Sequence, residues 1–289
     1  MRLFLLTAMV MVAFAANSLL NRMALADGEI HALAFAAYRV ASAPAALAPL
    51  VFSRDRRLRL TGPRRTTGVL SLSLYMLAFS AAYVKLDAGA GALILFGGVQ
   101  VTMFAGALVA REPVPALRWI GAAVAFVGLA WLMWPGGAAV PSLLHGSLML
   151  AAAVGWGIYS LAGRSADEPL RATAANFILA APLCFLPLVL LPVAPDAGPA
   201  TARGVTLALV SGVVTSAMGY ALWYSVLPRL RTSVASVAQL TVPVIALAGG
   251  VVLLGETVTP GLLAASAMVL GGVALSVLGP RWSSGAGRG

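Results

Sequence analysis

Apolar positions along this chain come in long unbroken runs separated by short polar turns. Ten runs can be counted, at 3–23, 31–52, 67–86, 90–110, 115–134, 144–163, 172–192, 204–226, 233–254 and 260–279. About 20 apolar residues is what a helix needs to cross a bilayer core at about 1.5 Å per residue, so each run predicts one spanning helix. The ninth run is the most informative. Val234–Leu254 is uncharged over 21 residues, yet Gln239, Thr241 and Pro243 stand in its middle. Pro243 removes a backbone donor and loosens the helix, which hydrocarbon tolerates only where neighbouring helices or a wet cavity satisfy the freed carbonyls. A polar, kinked midpoint in an apolar span marks a candidate functional site.

The ninth run also has a partner. A shift of 144 residues lays Gly89–Pro115 over Ser233–Thr259, with Gly106 on Gly250, Glu112 on Glu256, Val114 on Val258 and, further on, Gly128 on Gly272. The chain therefore divides into two repeats, 1–135 and 143–280, joined by PGGAAVPSLLHG at 135–146. Five spans is an odd number, so the second repeat enters the membrane upside down relative to the first. The predicted fold is an all-α polytopic membrane protein with ten transmembrane helices in two inverted five-helix repeats. Glu112 then ends span 4 on the inner side and Glu256 ends span 9 on the outer side.

Composition agrees: 61% of the 289 residues are hydrophobic and 10% charged, which excludes a soluble domain. A net charge of +10 points at face value to nucleic acid. The arginines, however, lie in short loops, without a groove-sized patch interleaved with aromatics, so no nucleic-acid partner is expected. With the N-terminus inside, fifteen arginines fall on the inner side, six of them in SRDRRLRLTGPRR, against Arg22, Lys85 and Arg203 outside. That imbalance predicts a multi-pass inner-membrane protein with both termini cytoplasmic. Residues 1–23 also have the outline of a signal peptide, but cleavage would leave the repeat without its first helix. Cys184 stands alone, and His31 and His145 are too few for a metal cluster, so no cofactor or metal is expected. No Ser-His pair or carboxylate pair lies at membrane depth, which argues against an enzyme.

The aromatics sort by depth. Trp119, Trp131, Trp134 and Trp282 lie near span ends, as an interfacial belt does. A deeper set is helically spaced. Phe14, Asn17 and Asn21 share a face of span 1, and Tyr75, Phe79 and Tyr83 a face of span 3. Gly97, Gln100 and Phe104 share one on span 4, Trp156 and Tyr159 on span 6, and Tyr220, Trp223 and Tyr224 on span 8. Ordinary packing accounts for any one face. The set recurs at matched positions, however: Phe14 on Trp156 and Asn17 on Tyr159 at a shift of 142, Phe79 on Trp223 at 144. Such recurrence predicts a shared central cavity, though two-fold packing could also produce it. These faces, with Gln239 and Thr241, are the candidate substrate-lining residues. Rings would stack on a planar substrate or cage a cation, while Asn17, Gln100 and Gln239 would bond its polar groups.

Arg39 lies about ten residues into span 2, where an unpaired charge costs several kcal/mol. Either it ties span 2 to carbonyls or a neighbouring helix end, or it attracts a substrate carboxylate. No acid occupies the middle of any span: Asp27, Glu29, Asp87, Asp196 and Glu256 fall outside, and Asp55, Glu112, Asp167 and Glu168 inside. Proton-driven carriers usually place a carboxylate within the membrane, so facilitated, downhill transport is expected, with coupling through Glu112 or Glu256 as the alternative.

Several of these features together resemble a known family. They are the ten spans as five plus five, and Arg111-Glu112-Pro113 and Gly255-Glu256-Thr257 at matching span ends. Arg39 in AAYRVASAPAAL, the stretch ALWYSVLPRLRTSVASVAQLTVPVIALAGGVVLLGE, and Gly128 and Gly272 complete the set. The resemblance is to EamA-type permeases of the drug/metabolite transporter superfamily, and it covers essentially the whole chain. It implies an alternating-access secondary transporter, commonly an exporter of amino acids, metabolites or drugs. Its partners would be a small-molecule substrate and membrane lipid, and a monomer suffices. The aromatic faces look most like aromatic amino-acid exporters of the YddG type; a multidrug or quaternary-cation efflux carrier is the alternative. A channel would need a wet pore, which packed small residues and bulky rings oppose. The first half departs from the second: Val99 stands where Pro243 does, and Arg111 where Gly255 does, so any kink in span 4 rests on Gly97-Gly98. Arg39, Gly97, Pro243, Glu112 and Glu256 are accordingly the candidate structural and gating positions.

The predicted orientation has a direct check. A cysteine placed at Ala139 should label from outside the cell and one at Arg57 should not; the reverse pattern would overturn the topology.

Overall fold

The computed structural model describes residues 1–55, 58–111, 114–134, 142–163, 168–191, 199–230 and 232–285. All regular structure among them is helical. The first half comprises α1 (Arg2–Leu25), α2 (Ala32–Asp55), α3 (Arg65–Ala82), α4 (Ala88–Val109) and α5 (Ala116–Leu132). The second comprises α6 (Leu143–Gly163), α7 (Pro169–Leu190), α8 (Ala202–Arg229), α9 in two pieces (Thr232–Gln239 and Thr241–Leu254) and α10 (Pro260–Gly285). These are the ten helices anticipated from hydropathy, and eight are long and apolar enough to cross a bilayer. Of the other two, α5 is apolar but only 17 residues long. α3 is rich in hydroxyls, two of which it satisfies internally: Ser71 Oγ donates to the Thr67 carbonyl at 2.6 Å and Ser73 Oγ to that of Val69 at 2.9 Å.

Two local features differ from expectation. Span 9 is not one helix, because the helix stops at Gln239 and restarts at Thr241. Pro243 has no N–H to offer the Gln239 carbonyl four residues back, and its ring crowds that carbonyl. Span 4, by contrast, is continuous, and α4 runs unbroken through Gly97-Gly98. The glycines serve close packing instead. A Cβ on Gly97 would lie 2.8 Å from Val269 Cγ1 of α10, and one on Gly98 2.7 Å from Ala153 Cβ of α6.

The helix pairings repeat between the halves. α2 packs on α7, α4 on α9 and α5 on α10, each helix against its own counterpart. The pairing of α3 with α6 is matched by α8 with α1, α4 with α6 by α9 with α1, and α3 with α7 by α8 with α2. Exchanging the halves therefore maps the main pairings onto one another. The halves interleave, so α6 sits between α3 and α4 of the other half, and the buried core belongs to both.

Small residues make the α5–α10 contact close enough for backbone to meet backbone. A Cβ on Gly272 would lie 2.6 Å from the Ala125 amide and 2.7 Å from the Gly121 carbonyl oxygen. In lipid, where no hydrophobic force drives helices together, such contact is a main source of adhesion. Gly272→Ala should therefore destabilise the protein by about 1–3 kcal/mol through overpacking. Gly271→Ala, with nothing within 4 Å of the new methyl, should leave the melting temperature unchanged or slightly raised. Equal melting temperatures for the two variants would refute the close packing.

Candidate functional site

Rings from α1, α3, α6 and α8 converge in the core. Phe14 meets Trp156 at 6.4 Å, Tyr220 at 5.9 Å and Trp223 at 6.1 Å between ring centres, all edge to face. Tyr75 lies 5.2 Å from Phe79 and 5.1 Å from Trp156. Trp156 stacks on Tyr159 at 5.6 Å and meets Tyr220 at 4.9 Å, and Phe79 meets Tyr83 at 4.8 Å. Phe14 and Trp156, matched positions of the two repeats, thus touch each other. With Asn17 of α1 and Leu95 and Phe96 of α4, the rings of Phe14, Tyr75, Phe79, Trp156 and Tyr220 line a cavity of about 20 Å³, room for roughly one water; Tyr83, Tyr159 and Trp223 pack behind them. In this arrangement the rings fill the space against one another, and a metabolite must part them to enter.

A polar frame supports the rings. Within α8 the helix widens to a π-helical segment, Ser211–Met218, a feature frequent at functional sites. Its hydroxyls turn inward. Ser211 Oγ and Thr215 Oγ1 donate to Asn17 Oδ1 at 2.6 and 2.9 Å. Arg39 Nε donates to Ser216 Oγ at 3.0 Å and Nη2 to the Tyr75 hydroxyl at 3.2 Å. The guanidinium also lies 5.0 Å from the Phe79 ring centre and 5.4 Å from that of Tyr75, within cation–π range. Arg39 is fully buried, and no carboxylate pairs with it among the described residues. It ties α2 to its neighbours, but through side chains rather than carbonyls or a helix end. Asn21 closes the frame, donating to the Asn17 carbonyl at 2.9 Å and accepting from Ser80 Oγ at 2.9 Å.

Other sequence candidates lie elsewhere. Gln100 and Phe104 line a separate cavity of about 10 Å³ with residues of α5 and α10, because at that level α4 is covered by those two helices. Phe104 meets Trp119 there at 4.9 Å. Beyond the break in α9, Thr241 is exposed and donates to the Ala238 carbonyl at 2.6 Å, while Gln239 is half-buried and Pro243 buried. Tyr224 is half-buried below the cluster. Glu112 lies outside the described residues. Conversely, Ser211, Thr215, Ser216, Leu95 and Phe96 were not among the candidates. The signal for the first three was the recurrence of small hydroxyls in an apolar span. Such groups usually bond their own helix, so the spacing alone could not assign them inward.

At one end of the bundle, ionic contacts clasp the halves together. Both oxygens of Glu256, in the turn before α10, accept the Ala88 N–H at the start of α4, at 2.8 and 3.0 Å. A carboxylate suits a helix N-terminus. Arg22 of α1 reaches Asp87 at 3.2 Å and Glu256 at 3.6 Å, and donates to the Tyr83 and Val84 carbonyls at 3.4 and 3.3 Å. Burial raises the Glu256 carboxyl above its usual range, with Asp87 adding to the rise, against the lowering by the Ala88 amide and Arg22. A proton on Glu256 therefore favours the clasped arrangement over one in which water solvates the carboxyl. That contribution is full below the ordinary carboxylate range and fades as pH rises through the raised value. At the same end Glu29 accepts from Thr201 and from Arg203, and these bonds hold its carboxyl below the usual range.

Two interleaved helical halves around a common buried cluster define a multi-pass membrane protein of repeat architecture. The EamA-like transporter family matches the chain twice, over residues 1–134 and 145–278. An uncharacterized protein of Pseudomonas aeruginosa is 43% identical over 280 residues, covering 97% of this chain and 96% of its own. A Salmonella typhimurium protein named a probable amino-acid metabolite efflux pump is 38% identical over 68 residues, 24% of this chain and 23% of its own. One crystal structure shares the fold with a TM-score of 0.70 at 18% identity, over 97% of this chain and 98% of that one. The chain belongs to the EamA-like transporter family, within the drug/metabolite transporter superfamily, and is a membrane transporter rather than an enzyme.

The clasp yields a prediction. Glu256→Ala removes both acceptors of the Ala88 amide, so the amides at the start of α4 should exchange with solvent about tenfold faster or more. Unchanged exchange would show that the carboxylate does not hold α4.

Proposed function

We propose that this transporter exports amino acids, aromatic ones foremost, or related small metabolites, by facilitated, downhill alternating access. It does so in the inner membrane with both termini cytoplasmic. The observation that carries the proposal is the ring cluster contributed by both halves around one small cavity. Planar rings offer stacking faces to a planar side chain, and few polar groups suffice to orient it. The Salmonella efflux-pump relative supports amino-acid cargo over the stretch it matches. Absence of any acidic residue from the middle of the spans supports the downhill mechanism. The alternative, efflux of multiple drugs or quaternary cations, uses the same rings as a cage, but the buried guanidinium of Arg39 repels a cation there.

The test is counter-transport by the purified protein in liposomes, using aromatic, aliphatic and cationic substrates with and without a pH gradient. Saturable exchange of aromatic amino acids, little changed by the gradient, is expected. Several-fold accumulation driven by the gradient would overturn the downhill mechanism, and exchange of cations alone would favour the alternative. Matched rings sharpen the test, because Phe79 stands toward the outer half of the membrane and Trp223 toward the inner. Phe79→Ala should raise the half-saturation concentration mainly from outside and Trp223→Ala mainly from the cytoplasmic side, each by up to about tenfold. Affinities equal to wild type in both variants, measured per folded protein, would remove these rings from the site.

A further inference from the structure

Three buried side-chain polar atoms among the described residues lack a hydrogen-bond partner, and two of them belong to this cluster: Arg39 Nη1 and the Tyr220 hydroxyl. Arg39 is fully buried and Tyr220 is 2% exposed. Tyr220 lines the cavity, while the Arg39 guanidinium lies against Tyr75 and Phe79, two of the other lining rings. A buried donor without an acceptor is costly, and a charged one more so. The neighbouring acceptors are already engaged. Asn17 Oδ1 takes two hydroxyls, and Ser216 Oγ and the Tyr75 oxygen each take one Arg39 N–H. What the site lacks is a negatively charged acceptor with two oxygens.

We infer that Arg39 and Tyr220 form a carboxylate-binding pair, and that the cargo is a monocarboxylate with a planar apolar body whose ammonium group, if present, contributes little. This rests on the proposal of an aromatic small-molecule transporter and names the substrate group that the site recognises. One carboxylate oxygen would take Nη1 and the other the Tyr220 hydroxyl, and the ligand's charge would neutralise the guanidinium. An ammonium finds no such reception. All nine acidic residues of the chain lie outside the middle of the spans, and Asn17 Oδ1, Ser216 Oγ and the Tyr75 oxygen already accept from protein donors. Entry requires the Tyr75 and Phe79 rings to turn aside, which uncovers the guanidinium lying against them.

Binding to the purified protein, read by quenching of tryptophan fluorescence, tests the inference with four probes. These are 3-phenylpropanoate, phenylalanine, phenylalaninamide and phenethylamine. The two carboxylates should bind within a few-fold of each other, and the two cations about tenfold more weakly or worse. Arg39→Gln should erase that preference. Arg39→Lys should restore part of it, since a lysine keeps the charge but loses the fork. Tyr220→Phe gives a readout that does not depend on tolerating a change at Arg39. Its hydroxyl makes no hydrogen bond of good geometry, so the ligand-free melting temperature should change little while affinity for 3-phenylpropanoate falls about tenfold. Equal binding of phenethylamine and 3-phenylpropanoate to wild type would overturn the inference, as would no carboxylate binding at millimolar concentration. Unchanged affinity in Tyr220→Phe would overturn it as well. If carboxylates bind and discriminate as expected but none is transported, the pair stands and the transport proposal falls. If aromatic amino acids are transported equally well by Tyr220→Phe, the transport proposal stands and the pair falls.

Discussion

A guanidinium held in the membrane interior, with no carboxylate beside it among the described residues, is the constraint to which much of this architecture answers. In hydrocarbon no water is at hand to solvate Arg39, so its donors and its charge must be met by neighbouring helices. α8 meets them in two ways. At Gly212 its backbone passes so near the Arg39 carbonyl that a side chain there would clash, and the π-helical register then sets Ser216 against Nε. α3 supplies the Tyr75 hydroxyl and two ring faces. The groups that hold Arg39 are therefore largely those that build the aromatic cluster.

The repeat explains why the cluster is central. Because the main helix pairings have counterparts under exchange of the halves, residues near the middle of α1 and α6 approach one another, and Phe14 reaches Trp156. A site made this way belongs to neither half, so relative motion of the halves remodels it. The cavity of about 20 Å³ is what remains when the rings close on one another. The clasp of Arg22, Asp87 and Glu256 closes one end of the bundle by joining α1 and α4 to the turn between α9 and α10. Each contact in it is a few charge-assisted hydrogen bonds, strong enough to define a state and weak enough to be exchanged for water.

Glycine and proline divide the labour between counterpart helices differently in the two halves. α4 uses Gly97 and Gly98 to bring α10 and α6 close while staying unbroken, whereas α9 breaks at Leu240 before Pro243. Similar hydropathy thus covers unlike mechanics. The unbroken helix supplies Leu95 and Phe96 to the cavity wall, and the broken one leaves Thr241 exposed.

Sequence by itself determined the ten helices, their division into two repeats and the ring-bearing faces of α1, α3, α6 and α8. Each of these follows from local quantities: the length of an apolar run, the depth of a residue within it, and helical spacing. Tertiary structure alone decided which polar groups meet. Gln100 shares the length and spacing of a lining residue, yet α5 and α10 cover it; Ser211, Thr215 and Ser216 resemble ordinary intrahelical hydroxyls, yet a wider turn aims them at Asn17 and Arg39. Glu256 could be placed at a span end from its position, but not on the first amide of a helix 168 residues away. Those pairings depend on which helix faces which across the bundle, a relation between residues far apart in the chain that no window along it contains.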